Sequence, residues 1–329
     1  MELQVVGHQG PELTHNSHFK FGYNNKPEAF RTNPEQNWWV KYGRSRRRPL
    51  SFRDECMETA RTIRAKVTGD IWILFSGGVD SETVLRSFLE AGISVKIAVA
   101  RYKDQINLHD ISWAVLTCNE LGVPFQFFDL DLLKFWRDEA LSYAEISQCF
   151  SPQLLVTMWL SDQITGYPVL GSGECLFRRE QTVPVDSAGK SQDKSQDQSQ
   201  DQSQNQNNRK WFLIEKERIA SWYRFFLARK REACPGFFQY TPEIMLSYLR
   251  DPLVQKLVND HFGDTQSSEK VKLRIYQQHF DLKTRPKYTG FENVQEEDAR
   301  LRSLLKLSYS HSDQIFRTSC IDLERNLAP

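Results

Sequence analysis

Ile71-Trp72-Ile73-Leu74-Phe75-Ser76-Gly77-Gly78-Val79-Asp80-Ser81 is the stretch that decides how this chain folds. Ile71 to Phe75 is an unbroken apolar run, short enough to be a buried strand rather than a helix. Two glycines follow almost at once, and then Val84, Leu85, Phe88 and Leu89 mark one face of a helix that Gly92 is placed to end. Strand, glycine turn and helix in that order put Ser76 to Ser81 where ligands bind in open parallel sheets. Glycine lets the backbone approach an oxyanion with no Cβ in the way, and the free N–H groups of the helix start point at it. Ser76 and Ser81 add hydroxyl donors. Asp80 beside a phosphate calls for an intervening cation or a structural hydrogen bond.

Outward from the turn the same grammar repeats. Met57, Ala60, Ile63 and Val67 recur at helical spacing before the first strand. Ile93, Val95, Ile97 and Val99 alternate as a second strand, and Ile111, Ala114, Val115, Cys118 and Leu121 form a helix closed by Gly122. Val123 to Phe128 supplies a third strand, a helical stretch runs from about Leu132 to Thr165 with a break near Pro152, and Pro168-Val169-Leu170 supplies a fourth. This alternation predicts an α/β fold, a Rossmann-like parallel sheet with helices on both faces and right-handed crossovers. The segments divide as 1–50, an N-terminal arm or short extended pieces; 51–186, the domain that carries the glycine turn; 187–208, a Ser/Gln/Asp-rich insertion; and 209–329, a mainly helical region. The insertion has no apolar surface to offset the entropy of ordering it and is expected to be disordered. Phe177 to Val185 and Trp211 to Arg218 flank it as two arms of a hairpin. Much of the aromatic content, 12% of the chain, falls after Trp211, which predicts a packed core in that half.

Composition narrows the function classes. The length of 329 residues allows one large domain or two smaller ones. Lys plus Arg total 43 against 42 Asp plus Glu, so no whole-molecule field gathers the protein on nucleic acid or membrane. The six cysteines, Cys56, Cys118, Cys149, Cys175, Cys234 and Cys320, include no C-x-x-C pair and read as reduced residues of a cytosolic protein. Met1-Glu2-Leu3-Gln4 has neither a basic start nor an apolar stretch, and no segment approaches the roughly 20 apolar residues of a membrane span. A cytoplasmic protein without a membrane partner is expected.

Ser-Gly-Gly-Val-Asp-Ser at 76–81 resembles the PP-loop of the N-type ATP pyrophosphatases, a superfamily that includes asparagine synthetase, GMP synthetase, NAD synthetase, tRNA lysidine synthetase and the 7-cyano-7-deazaguanine synthases. It is unlike the Walker A loop, since no Gly-Lys-Ser/Thr follows. The resemblance implies an adenine nucleotide alpha hydrolase-like fold, ATP and Mg²⁺ as cofactors, and cleavage between the α and β phosphates. An acceptor oxygen takes AMP, pyrophosphate leaves, and a nitrogen nucleophile displaces the AMP.

The order of features is most similar to the synthetase domain of asparagine synthetase. Gly171-Ser172-Gly173-Glu174-Cys175-Leu176-Phe177 looks like the acidic loop that faces the PP-loop there, with Glu174 alone where an Asp-Glu pair is usual. Lys270-Val271-Lys272-Leu273-Arg274, eleven residues before Arg285-Pro286-Lys287, is similar to the basic helix and Arg-Pro-Lys segment that face the phosphates. On that resemblance Asp80 and Glu174 hold the metal and join Lys272 and Lys287 as catalytic residues, while Ser76, Gly77, Gly78, Val79, Asp80, Ser81, Ala100, Arg274 and Arg285 bind the nucleotide. Charge that grows on departing pyrophosphate is what the basic residues stabilise. Val99-Ala100-Arg101 ends the second strand, where an adenine meets backbone groups.

The short stretch before the loop is expected to hold no glutaminase domain, so the implied partners are a small-molecule acceptor, an amine or ammonia donor, and a separate glutaminase. Arg44-Ser45-Arg46-Arg47-Arg48 leaves tRNA as a less favoured partner. A tRNA- or deazapurine-modifying enzyme and a nucleotide binder whose chemistry has lapsed stay as alternatives, although the zinc-binding cysteines of the cyano-deazaguanine synthases have no counterpart here. Thr241-Pro242 reads as a helix cap followed by the first helical residue, and His109-Asp110 as a cap. His15 and His18 have no partner at metal spacing.

Overall fold

The computed structural model describes residues 18–179, 211–259, 268–283, 285–286, 288–308 and 314–329. The segment from 187 to 208, His15 and Lys287 lie outside them. In chain order, β1 (Phe19–Tyr23) and β2 (Trp38–Tyr42) precede α1 (Phe52–Lys66), β3 (Ile71–Leu74), α2 (Val79–Glu90), β4 (Lys96–Tyr102), α3 (Leu108–Glu120) and β5 (Gln126–Leu130). Helices α4 (Leu132–Asp138), α5 (Ala140–Ser147) and α6 (Pro152–Asp162) lead to β6 (Tyr167–Val169) and β7 (Leu176–Arg179). After β8 (Trp211–Lys216) come α7 (Ala220–Ala228), α8 (Pro242–Leu249), α9 (Pro252–Asn259), α10 (Ser268–Phe280), α11 (Gln295–Ser308), β9 (Ile315–Ser319) and α12 (Cys320–Leu327).

The central sheet runs β5-β4-β3-β6, every pairing parallel. Period-two alternation along β3 divides the interior in two. Ile71, Ile73 and Phe75 enter a core shared with α1, α2, α3, α8 and α10, while Trp72 and Leu74 enter one shared with β1, β2, α4, α5, α6 and α7. The aromatic-rich region after Trp211 therefore has no core of its own. It contributes Phe237, Ile244 and Tyr276 to the first and Trp222, Phe225 and Phe226 to the second.

Two strands lie about three residues later in the chain than their apolar patterns predict, for one physical reason. Helix α2 ends in a Schellman turn: Gly92 has φ +74°, its N–H donates to the Leu89 carbonyl, and the Ile93 N–H donates to the Phe88 carbonyl. Helix α3 ends alike at Gly122 and Val123, whose N–H groups donate to the Asn119 and Cys118 carbonyls. Ile93 and Val123 thus belong to the helix caps, and pairing begins only at Lys96 and Gln126.

Of the two readings of the N-terminal segment, an arm or short extended pieces, the structure shows the second. Residues 19–42 form an antiparallel hairpin whose Phe19, Phe21, Tyr23, Trp38 and Val40 are buried in the second core. The expected hairpin around the insertion is present as β7 and β8, and β9 from near the C-terminus joins it as a third strand. Thr241 caps α8, its hydroxyl accepting from the Ile244 N–H with Pro242 at the first turn. His109 and Asp110 do not cap α3; Asn107 is the N-cap residue, and its side chain accepts from the Tyr102 N–H and donates to the Ala100 carbonyl. His18 is buried, its Nδ1 accepting from the Gly43 N–H, and burial pushes its pKa down to about 3. Among the described residues no helix is long and apolar enough to cross a membrane.

Candidate active site

Gly77 makes the turn at the mouth of β3. Its φ is +76°, and a Cβ there would stand 2.5 Å from the Asp110 carbonyl oxygen on α3. Gly78 is the N-cap of α2, so the first intrahelical bond runs from the Glu82 N–H to the Gly78 carbonyl. The amides of Val79, Asp80 and Ser81 then have no intrahelical acceptor, and with the helix dipole behind them they form an anion cradle. Ser76 is exposed at the lip, its hydroxyl 3.3 Å from that of Ser81, which donates to the Gly78 carbonyl.

The loop at 171–175 meets this turn directly. A Cβ on Gly171 would stand 2.9 Å from the Asp80 carbonyl carbon and the Ser81 nitrogen. Extension of the sheet beyond β6 fastens the loop: Cys234 bridges Val169, and the Phe238 N–H donates to the Ser172 carbonyl. Glu174 and Asp80 are thereby brought together, and Lys272 of α10 lies between them. Its Nζ is 2.9 Å and 3.1 Å from the two Asp80 carboxylate oxygens and 3.4 Å from Glu174 Oε1. Burial, then the Asp80 charge, pushes the Glu174 carboxyl above its ordinary range, against the pull of Lys272. Burial opposes the Lys272 charge, but the two carboxylates outweigh it and hold the ammonium protonated above the ordinary lysine value.

Arg285 engages the turn from its other side. It donates to the Gly77 carbonyl at 2.7 Å and to Thr117 Oγ1 at 3.0 Å, pairs with the buried Glu82 carboxylate, and lies over the Trp113 ring. It grips the backbone of the cradle and leaves the amide face to a ligand. Arg274 is not brought to the cluster; two residues on from Lys272 it falls on the exposed side of α10.

From Ser76 an open cleft of about 80 Å³ runs along the ends of β3 and β4, narrower than the about 300–1,000 Å³ usual for small-molecule sites. Val99 and Ala100 floor it from inside β4, which runs on to Tyr102 instead of ending at them as the sequence suggested, and Thr289 and Phe291 wall it. Gln153 and Thr157 of α6 also line it, and their polarity at helical spacing among Leu154, Leu155, Val156 and Met158 was the signal available in the sequence. Tyr248 and Tyr276, buried beside the acidic pair, carry hydroxyls with no hydrogen-bond partner among the described residues. Their aromatic helical pattern signals only core.

Asp80 and Glu174 converge closely enough to share one cation, and hard carboxylate oxygens are the donors Mg²⁺ takes. Among the described residues no group of three or more His, Cys, Asp or Glu side chains converges. The pair therefore fits Mg²⁺ when a polyphosphate supplies further oxygens.

Comparison with known proteins bears on the first half of this site. The family described as "Queuosine biosynthesis protein QueC" matches residues 70–153, about a quarter of the chain. The match begins just before β3 and takes in the glycine turn, β4 and β5, while Glu174, Lys272 and Arg285 lie beyond it. The chain is thus similar there to a PP-loop ATP pyrophosphatase family. Curated proteins give no match. Among solved structures, the NMN synthetase of Francisella tularensis matches over 76% of this chain and 92% of its own, at 9% identity and a TM-score of 0.31.

Proposed function

We propose that this protein is an ATP pyrophosphatase-type ligase: it transfers AMP to an acceptor oxygen, releases pyrophosphate, and passes the activated group to a nitrogen nucleophile. The observation that carries the reading is the amide cradle at Gly77 to Ser81, flanked by the Lys272 ammonium and braced by Arg285. The bond that forms joins acceptor oxygen to α-phosphorus; the bond that breaks joins α-phosphorus to the bridging oxygen, which leaves with pyrophosphate. The nitrogen nucleophile then displaces AMP. Amides fixed by the Gly77 turn meet the β- and γ-phosphates without reorganising, and Lys272 supplies a positive charge as negative charge accumulates on the leaving group. Mg²⁺ held by Asp80, Glu174 and phosphate oxygens would neutralise further charge. The cleft over Val99 and Ala100 takes the adenine. Tyr248 and Tyr276 offer hydroxyl donors beside the reacting phosphate.

Labelled ATP, incubated with Mg²⁺ and candidate acceptors, should yield AMP and pyrophosphate; ADP as the sole product would remove the proposal. An asparagine synthetase-like amide-forming reaction with ammonia or an amine is the first arm of the assay. The QueC match over residues 70–153 favours a second arm, a deazapurine acceptor. All six cysteines are buried and unbridged, so this acceptor would be handled without the cysteine-bound zinc of the cyano-deazaguanine synthases.

A further inference from the structure

Two carboxylates that converge on one point repel each other unless a cation stands between them. Asp80 and Glu174 come from separate elements, the start of α2 and the loop before β7, and the charge between them is the Lys272 ammonium. We infer that Lys272 is the resident cation of this pair, and that the pair admits a divalent metal only when a polyphosphate draws the ammonium away. This rests on the nucleotide reading for the identity of the polyphosphate and on side-chain geometry for everything else.

Three features support it. The ammonium reaches both oxygens of Asp80 and one of Glu174, so it occupies the common point of the two groups. With no third metal-ligating side chain converging among the described residues, the pair cannot by itself outcompete an ammonium already seated. The two basic residues also differ in freedom. Arg285 is fixed by the Gly77 carbonyl, Glu82, Thr117 and the Trp113 ring. Lys272 stands on a helix anchored through the buried Val271, Ile275 and Tyr276, and its four-carbon stem lets the charge move while the helix stays in place. Polyphosphate on the amide cradle offers the ammonium a stronger partner close by and adds its own oxygens to those of the vacated carboxylates, which with water suffice for a metal once the ammonium is gone. Nucleotide and metal then enter together, and the protein without nucleotide holds no divalent ion at this place.

The test follows Mn²⁺ binding to the full chain by the electron paramagnetic resonance signal of the free ion. Without nucleotide, wild type should take up no stoichiometric Mn²⁺, and Lys272→Met should gain one equivalent, bound at least about tenfold more tightly. That factor is the lower end of what a neighbouring charge at this distance does to a proton equilibrium, about 1–3 units. Adding Glu174→Gln should abolish the gain, and Lys272→Arg, which keeps the charge, should stay closed. A wild type that binds one Mn²⁺ without nucleotide, or a folded Lys272→Met that gains none, overturns the inference.

If Lys272→Met does not fold, Glu174→Gln decides. With α,β-methylene-ATP it should weaken Mn²⁺ retention at least about tenfold relative to wild type; equal retention overturns the inference. Absence of any nucleotide binding would defeat the ligase reading and leave the nucleotide-free result standing.

Discussion

Single residues set both the shape and the pH response of the site. At Gly77 any side chain meets a left-handed φ of +76° and the Asp110 carbonyl oxygen at 2.5 Å. Gly77→Ala should therefore cost at least about 2 kcal/mol by urea denaturation, since the left-handed conformation alone costs about 1–2, and should abolish ATP binding by calorimetry. Glu215 of β8 lies in the wall behind Glu174 and accepts a hydrogen bond from the Tyr42 hydroxyl at 2.8 Å. Burial pushes its carboxyl up to about 8; the Tyr42 hydroxyl opposes the shift and the Glu174 charge adds to it. The unfolded chain ionises at the ordinary value of 4.5, so between about 4.5 and 8 it holds fewer protons than the folded protein. Stability from this group is complete below that window and falls as pH rises through it, by up to about 1.4 kcal/mol per pH unit. Glu215→Gln should flatten the decline of the urea midpoint between pH 5 and 8 and leave the variant more stable than wild type near pH 8. An unchanged slope would mean that Glu215 is ionised throughout.

At the scale of elements, the segment between α10 and α11 holds the cleft together. Arg285 grips the Gly77 carbonyl at one end, and Phe291 stacks on Trp136 at 5.4 Å and walls the cleft at the other. Between them Gly290 has φ +85°, with the Ile106 carbonyl oxygen 2.5 Å from where a Cβ would be. Arg285, Gly290 and Phe291 thus form a strap across the cleft. Phe291→Ala should raise KM for ATP on the order of tenfold and leave kcat nearly unchanged, since a ring that walls the base acts on ground state and transition state alike. A fall in kcat at constant KM would instead put the strap in the chemical step. Part of this was legible in the sequence. The Arg285-Pro286 pairing with the Lys272 helix came through resemblance, and β3 with its glycine turn came from the residues themselves. The three-residue lag of β4 and β5 was not, because Ile93 and Val123 are apolar residues that serve a helix cap and mimic the first residue of a strand. Nor could local pattern reveal that Lys272 would sit between Asp80 and Glu174, since that contact joins three segments through the tertiary fold.

At the scale of the whole molecule, the described residues are organised around the four-stranded parallel sheet with a core on each face, and the N-terminal hairpin is the piece whose place the sequence concealed. Its turn formers suggested an arm, whereas its alternating Phe19, Phe21 and Tyr23 face α7. A buried charge network locks it there. Glu217 pairs with Arg31 of the hairpin loop at 3.3 Å and with Arg224 of α7 at 3.5 Å, and it accepts from the Tyr23 hydroxyl at 2.5 Å and from the Gln314 N–H at 3.0 Å. All three charged side chains are nearly inaccessible, Arg224 at 2%, Glu217 at 3% and Arg31 at 3%. Removing one partner from such a group strands the others in a medium that cannot solvate them, at a cost of about 3–5 kcal/mol. Glu217→Gln should lower unfolding stability by that amount. It should also speed hydrogen exchange in β1, β2 and α7 together, because the same carboxylate holds both. In the wild type the amides of β1 and β2 should exchange nearly as slowly as those of β3, since opening the hairpin exposes the core on which β3 rests. Fast exchange confined to the hairpin, with the sheet still protected, would make it the detachable arm that its turns suggest and would uncouple it from the site.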